Sequence, residues 1–206
     1  IDESKIVVLN NTIDTRKVKT IRSRNVPDMP DEILEQSKGG YIFFIFVGTL
    51  LRSKNIESIA ELLKILGRKY YLIIVGDGSL QYKLELEKLF EGTNHTFVGY
   101  KKLEQLRPYY QLSAFSILPG LGGLSINQSM AFGVPVICCE ADGAEKDLVI
   151  ANETGYIYKN IEDACRYITS KTVDDWKKMG QKSESLIFQD HSVETMMNKF
   201  IYYTSH

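Results

Sequence analysis

Between Tyr41 and Cys138, short apolar runs alternate with segments whose apolar residues recur at helical spacing. That alternation narrows the fold more than any other feature of the chain. Tyr41–Val47 is a continuous apolar run and reads as a strand buried on both faces. Ile56, Ile59, Ala60, Leu63 and Leu66 then follow one helical stripe. Leu72–Val75 reads as a second strand, closed by Gly76-Asp77-Gly78, and the stretch from Leu80 through Leu84 to Phe90 as a second helix. Thr96–Val98, Leu103–Leu112 and Ala114–Leu118 continue as strand, helix and strand. A glycine turn at Gly120, Gly122 and Gly123 opens a short helix near Leu124, which closes at Gly133 before a strand over Val134–Cys138. Strands and helices in this order are βαβ units, which build a parallel sheet. Right-handed crossovers put helices on both of its faces. The expectation is an α/β fold with a doubly wound parallel sheet, whose ligands bind at the carboxyl ends of the strands.

The flanks read differently. Ile6–Leu9 is a short apolar run expected as an edge strand. Residues 10–40 are polar, interrupted by Pro27, Pro30, Gly39 and Gly40, and carry Arg16, Lys17, Lys19, Arg22 and Arg24. Such a run is expected as a solvated loop, with contact to a membrane surface as the alternative. Beyond the core, Ile161–Ser170 and Val173–Phe188 read as helices. A last helix from Ser192 carries Val193, Met196, Met197, Phe200 and Tyr203 on one stripe. Residues 1–206 are thus expected to form one domain: 1–40 an opening strand and loop, 41–160 the α/β core, 161–206 the C-terminal helices.

Composition excludes several classes. The net charge is −1, so no bulk field favours nucleic acid. No apolar run is long enough to span a bilayer. The opening residues lack the order of a signal peptide and an initiator methionine, which suggests a piece of a longer protein. Cys138 and Cys139 are adjacent, and with Cys165 they read as free thiols suited to a reducing cytosol. A cytoplasmic location is therefore expected, with the inner membrane surface as a possible working place. His95, His191 and His206 are far apart in sequence, and no zinc-type cluster occurs, so no metal is expected.

Three βα connections carry the candidate chemistry. They are Gly48–Lys54, Gly76–Ser79 and the turn at 120–123, and in a parallel sheet all three share one side. The first brings Arg52 and Lys54. The third ends at a helix start, where unpaired N–H groups and the helix dipole favour an anion. Arg52, Lys54, Gly122, Gly123, Leu124 and Ser125 are the candidate diphosphate binders. Gln128 shares a helical face with Ser125 and is placed for a ligand hydroxyl. No P-loop, no G-x-G-x-x-G after the first strand and no G-x-S-x-G elbow is present.

These residues, in this order, resemble a known family. Val7–Asn11 with Ile13-Asp14, Phe46-Val47-Gly48 with Lys54, Leu72–Gly78, Phe97–Tyr100, Gly122–Ile137 and Glu153–Ile157 are similar to successive motifs of the C-terminal domain of GT-B retaining glycosyltransferases of the group 1 type. The match runs over most of residues 5–160. The resemblance implies a Rossmann-like domain that binds a UDP-sugar or GDP-sugar. Gly48, Thr49, Gly76, Asp77 and Gln128 would lie along the nucleoside and ribose. No cofactor is implied. The implied partners are the nucleotide-sugar donor, an N-terminal acceptor domain of the same protein, against which the final helix would pack, and a glycan or lipid-linked acceptor in polysaccharide biosynthesis. The isolated domain would be an inactive half of a hexosyltransferase.

The sequence departs from the family pattern at defined places. Two glutamates seven residues apart are common there; Gly120 and Gln128 hold those positions here. Thr49 stands where the family has arginine, with Arg52 as the substitute, and Asp147 stands at a later glutamate position. These losses motivate an alternative, a catalytically degenerate sugar-nucleotide-binding or partner-docking module. A flavodoxin-like receiver shares the alternation, but its acidic magnesium cluster is missing.

Overall fold

The computed structural model describes residues 12–25, 30–141 and 143–204. The edge strand expected at Ile6–Leu9 and the motif at Val7–Asn11 lie outside the described residues. In chain order the elements are α1 (Thr15–Ser23), α2 (Asp31–Ser37), β1 (Ile42–Val47), α3 (Glu57–Leu66), β2 (Tyr70–Val75), α4 (Leu80–Phe90), β3 (His95–Gly99), α5 (Arg107–Leu112), β4 (Ser113–Leu118), α6 (Leu124–Ala131), β5 (Val136–Cys139), α7 (Ala144–Leu148), β6 (Gly155–Tyr158), α8 (Ile161–Thr169), α9 (Val173–Asp190) and α10 (Val193–Thr204).

The strands form one parallel sheet in the order β3-β2-β1-β4-β5-β6. From β1 the chain crosses through α3 to β2; from β4 it crosses through α6 to β5 on the other flank. Right-handed crossovers that run in opposite directions lie on opposite faces. The packing agrees: α3 lies against α8, and α6 against α9. The fold is the doubly wound α/β sandwich expected from the alternation.

Burial explains why the central runs are strands. Every residue of β2 is buried, as are Phe43–Val47 of β1, because both faces are covered. Phe44 is fully buried and stacks on Phe115 of β4 with centroids 5.0 Å apart. The stripe read for α3 is the buried one: Ile59, Ala60, Leu63 and Leu66 all face the core. Two of the boundaries that differ from expectation fall at prolines. The helix expected over Leu103–Leu112 splits into a 3₁₀ turn at Leu103–Gln105 and α5, which restarts so that Pro108 sits in its first turn. The strand expected from Val134 begins at Val136, after Pro135, which has no N–H to give a ladder.

The stretch from 10 to 40, expected as a solvated loop, instead carries α1 and α2. Asp14 caps α1 by accepting from the Lys17 amide at 3.0 Å. Val18 and Ile21 are buried beneath it. The basic run is not an open patch. Arg16 pairs with Glu194, Lys17 with Glu104 at 2.8 Å and Arg22 with Glu184 at 2.8 Å. Arg107, itself buried, donates to the carbonyls of Ile21 and Arg24 at the end of α1, at 2.9 and 2.6 Å. Three of the five basic residues are thus matched with acids from distant segments, and Lys19 lies over the Phe188 ring at 4.8 Å.

Helix α2 is fastened by Glu32. Its carboxylate accepts from Lys101 Nζ and from the Tyr109 hydroxyl, both at 2.7 Å. Partial burial alone would raise this carboxyl, but the bonds from Lys101 and Tyr109 outweigh it and bring it down to about 2. A depressed carboxyl stabilises the fold above its unfolded value and loses that contribution as pH falls through the folded one. The stability advantage of the wild type over Glu32→Gln is therefore expected in full at neutral pH. It should shrink below about pH 4.5 and vanish near pH 2 in urea melts. In the same assay Phe44→Ala should lose about 3–5 kcal/mol, from transfer plus the cavity left between β1 and β4.

Candidate functional site

The sheet order reverses between β1 and β4, and in doubly wound sheets the crevice beyond the carboxyl ends at that point takes the ligand. Three loops meet there. The loop after β1 is drawn onto the loop after β2: the Gly48 amide donates to Val75 O at 3.0 Å and the Leu50 amide to Asp77 O at 2.9 Å. Gly76 makes this approach possible. Its φ is +152°, and a Cβ there would stand 1.8 Å from Gly48 O. The loop after β1 also touches the glycine turn after β4, through Leu121 N to Ser53 O at 3.2 Å and through Lys54 Nζ, which donates to Leu121 O.

Between these loops lies a hollow of about 500 Å³. Gly48, Thr49, Gly76, Asp77 and Gln128, the residues read as nucleoside and ribose contacts, all line it. So do Tyr100, Lys101, Leu103 and Leu106, which were not among the expected site residues. The signal for them was present: they follow β3, whose carboxyl end faces the same side. Tyr100 is largely exposed and offers a ring face, while Leu103 and Leu106 give an apolar wall. The Asp77 carboxylate accepts from Lys83 at 2.9 Å and from the Gly78 amide at 2.8 Å. Those bonds, Lys83 foremost, keep it below the usual carboxylate range.

The candidate phosphate binders divide. Gly122, Gly123, Leu124 and Ser125 form the turn and first residues of α6, and Gly48 approaches Ser125. Lys54 reaches the same turn. Arg52 does not join them. Its guanidinium binds Glu57 at 3.2 Å and Glu85, and lies 5.0 Å from the centre of the Tyr82 ring. Three cations near the crevice thus have carboxylate partners: Arg52, Lys83 with Asp77, and Lys101 with Glu32. Among the described residues no carboxylate pairs with Lys54, whose ammonium faces a carbonyl oxygen only. The crevice therefore presents a cation beside a helix N-terminus, and that combination attracts a dianionic group.

Two of the positions that depart from the family pattern, Gly120 and Asp147, lie in contrasting surroundings. A Cβ on Gly120 would stand 2.4 Å from Ser53 O and 2.6 Å from the Lys54 carbonyl carbon, so the loop after β1 fills the space a side chain would need. Asp147 is exposed on α7 and does not line the hollow. Its neighbour Glu145, passed over in the sequence, is the buried carboxylate; it accepts from the Ala141 amide at 2.7 Å and the Gly143 amide at 3.0 Å and so fixes the loop after β5. His95 lies between Phe90 and Phe97 at the other end of β3, away from the hollow. Among the described residues no group of three or more His, Cys, Asp or Glu could hold a metal ion, and no helix is long and apolar enough to cross a membrane.

Comparison with known proteins agrees with this architecture. An uncharacterized glycosyltransferase of Methanocaldococcus jannaschii is 24% identical over 150 residues, which cover 69% of this chain and 42% of that protein. The structure of HepE from Anabaena in complex with UDP superposes with a TM-score of 0.79 at 18% identity, over 97% of this chain and 57% of that one. A glycosyltransferase from Rickettsia africae superposes with a TM-score of 0.77 at 18% identity, over the whole of this chain and 58% of its own. At such identities the solved structures share the fold. This chain spans less than half of the curated relative and under three fifths of these two structures. The sequence profile described as glycosyl transferases group 1 matches residues 31–185, and the chain belongs to that family.

Proposed function

We propose that this chain is the donor-binding half of a retaining glycosyltransferase, and that it holds a nucleoside diphosphate sugar across the β1/β4 crevice. The observation that carries this reading is the continuity of two subsites. A hollow of nucleoside size, lined by Tyr100, Asp77 and Gln128, opens beside the turn where Lys54 meets the start of α6. The base lies against Tyr100 and Leu106, and the ribose hydroxyls near Gln128. The diphosphate rests on the first amides of α6 and on Lys54. Those charges stabilise the nucleoside diphosphate as it departs from the sugar. Arg52, held by two glutamates, takes no part. A uridine donor is supported by the UDP seen in the Anabaena structure, with a guanosine donor as the other candidate. The remainder of the enzyme, an N-terminal domain with the acceptor site for a glycan or lipid-linked sugar, would pack on the exposed apolar face of α10 around Phe200 and Tyr203.

A second reading rests on one observation. With Gly120 sealed by the Ser53–Lys54 backbone and Gln128 uncharged, the crevice offers the transferred sugar no carboxylate from either family position. A module that binds the nucleotide without completing transfer fits that geometry. The two readings separate in an activity assay of the complete protein, since both bind nucleotide and only the first transfers sugar.

Calorimetric titration of the chain with UDP, GDP and ADP tests the shared part. Binding of UDP or GDP is expected, weakened about tenfold by Lys54→Ala, the loss of one charge-assisted contact. Absence of binding by all three would remove the reading. Gly120→Glu should not restore a family-like site. It should lower the melting temperature by about 4 °C or more, because its Cβ has no space beside Ser53.

A further inference from the structure

The glycine turn is one end of α6; the other end is held by a residue from the start of the described chain. Arg22, on α1, donates from one guanidinium nitrogen to Ala131 O, the last helical carbonyl of α6, at 2.8 Å, and from the other to Glu184 Oε2 at 2.8 Å. Glu184 lies on α9, the helix packed along α6. One planar fork thus joins three helices and meets the negative end of the α6 dipole with a positive charge. Helix α6 has eight residues, so the fork lies about 12 Å from the first amides of the same rigid element. The strut continues outward. Ile13, just before α1, bridges to Ser192 between α9 and α10, and Arg16 pairs with Glu194 on α10.

We infer that Arg22 is a positioning residue for the phosphate-facing end of α6, setting the helix axis through its C-terminal carbonyl and linking that axis to α9 and α10. The inference rests on the donor reading above only for its ligand; the mechanical link stands on the three-helix junction. Lysine at this position keeps the charge but cannot serve both partners in one plane, whereas alanine removes both bonds. Glu184→Gln keeps a partner for the fork and leaves the bond to Ala131 available.

The test uses the 206-residue chain with two readouts, UDP affinity by calorimetry and amide hydrogen exchange across residues 123–133. R22A is expected to bind UDP about fivefold more weakly and to exchange faster at 123–126 as well as near the mutated junction. R22K should fall between R22A and wild type, and E184Q should stay within about twofold of wild type in affinity. Unchanged UDP affinity and unchanged exchange at 123–126 in R22A, with only a lower urea midpoint, would overturn the inference, because a purely structural role predicts that pattern. Should R22A not fold, R22K carries the same two readouts. If the wild type binds none of UDP, GDP and ADP, the donor reading falls, and exchange at 123–126 alone still decides whether Arg22 sets the helix.

Discussion

Strand β1 is hydrogen-bonded along both edges, to β2 on one side and β4 on the other, and the chain leaves that pair in opposite directions. The rest of the architecture follows from this. Two crossovers of the same hand that diverge from a central pair must occupy opposite faces, so both faces are covered and the central strands lose contact with water. The loops that leave β1 and β4 cannot be closed over by a connecting helix, because each connection turns away from the other. A crevice at their shared end is a topological consequence, and the chemistry of the site consists of what the loops place there.

What they place there is mostly backbone. Gly76 and Gly120 let three loops approach to hydrogen-bond distance, and the side chains that remain are few and unequal in charge. Arg52, Lys83 and Lys101 are each compensated by a carboxylate, and among the described residues Lys54 is not. The position of the uncompensated charge, next to the first turn of α6, matters more than the number of basic residues in the segment. Arg52 and Lys54 are equivalent in a sequence motif. The structure separates them because the two stand at opposite ends of a 3₁₀ turn, Arg52–Lys54, which sends one toward α4 and the other toward the glycine turn.

The core was legible because its signals are local. Continuous apolar runs of strand length and a helical stripe such as Ile59 to Leu66 need no knowledge of distant residues. That Gly48, Gly76 and Gln128 share one side of the sheet was also legible, since strand ends define which loops meet there. The first forty residues were not. Helix α1 has weak local signals, and its charges are stabilised by Glu104, Glu184 and Glu194, which lie far along the chain. The same limit hid Arg107, whose partners are carbonyls at the end of α1. A pattern of residue types cannot report a partner that only the fold brings near.

The closure around Gly120 couples two positions that are far apart in sequence. The space for a side chain at that position is taken by the main chain of Ser53 and Lys54, so an acidic residue there and the present loop exclude each other. A carboxylate at this position would require the β1 loop to be reshaped, and that loop also carries Lys54 to the turn, so the two positions cannot be altered independently.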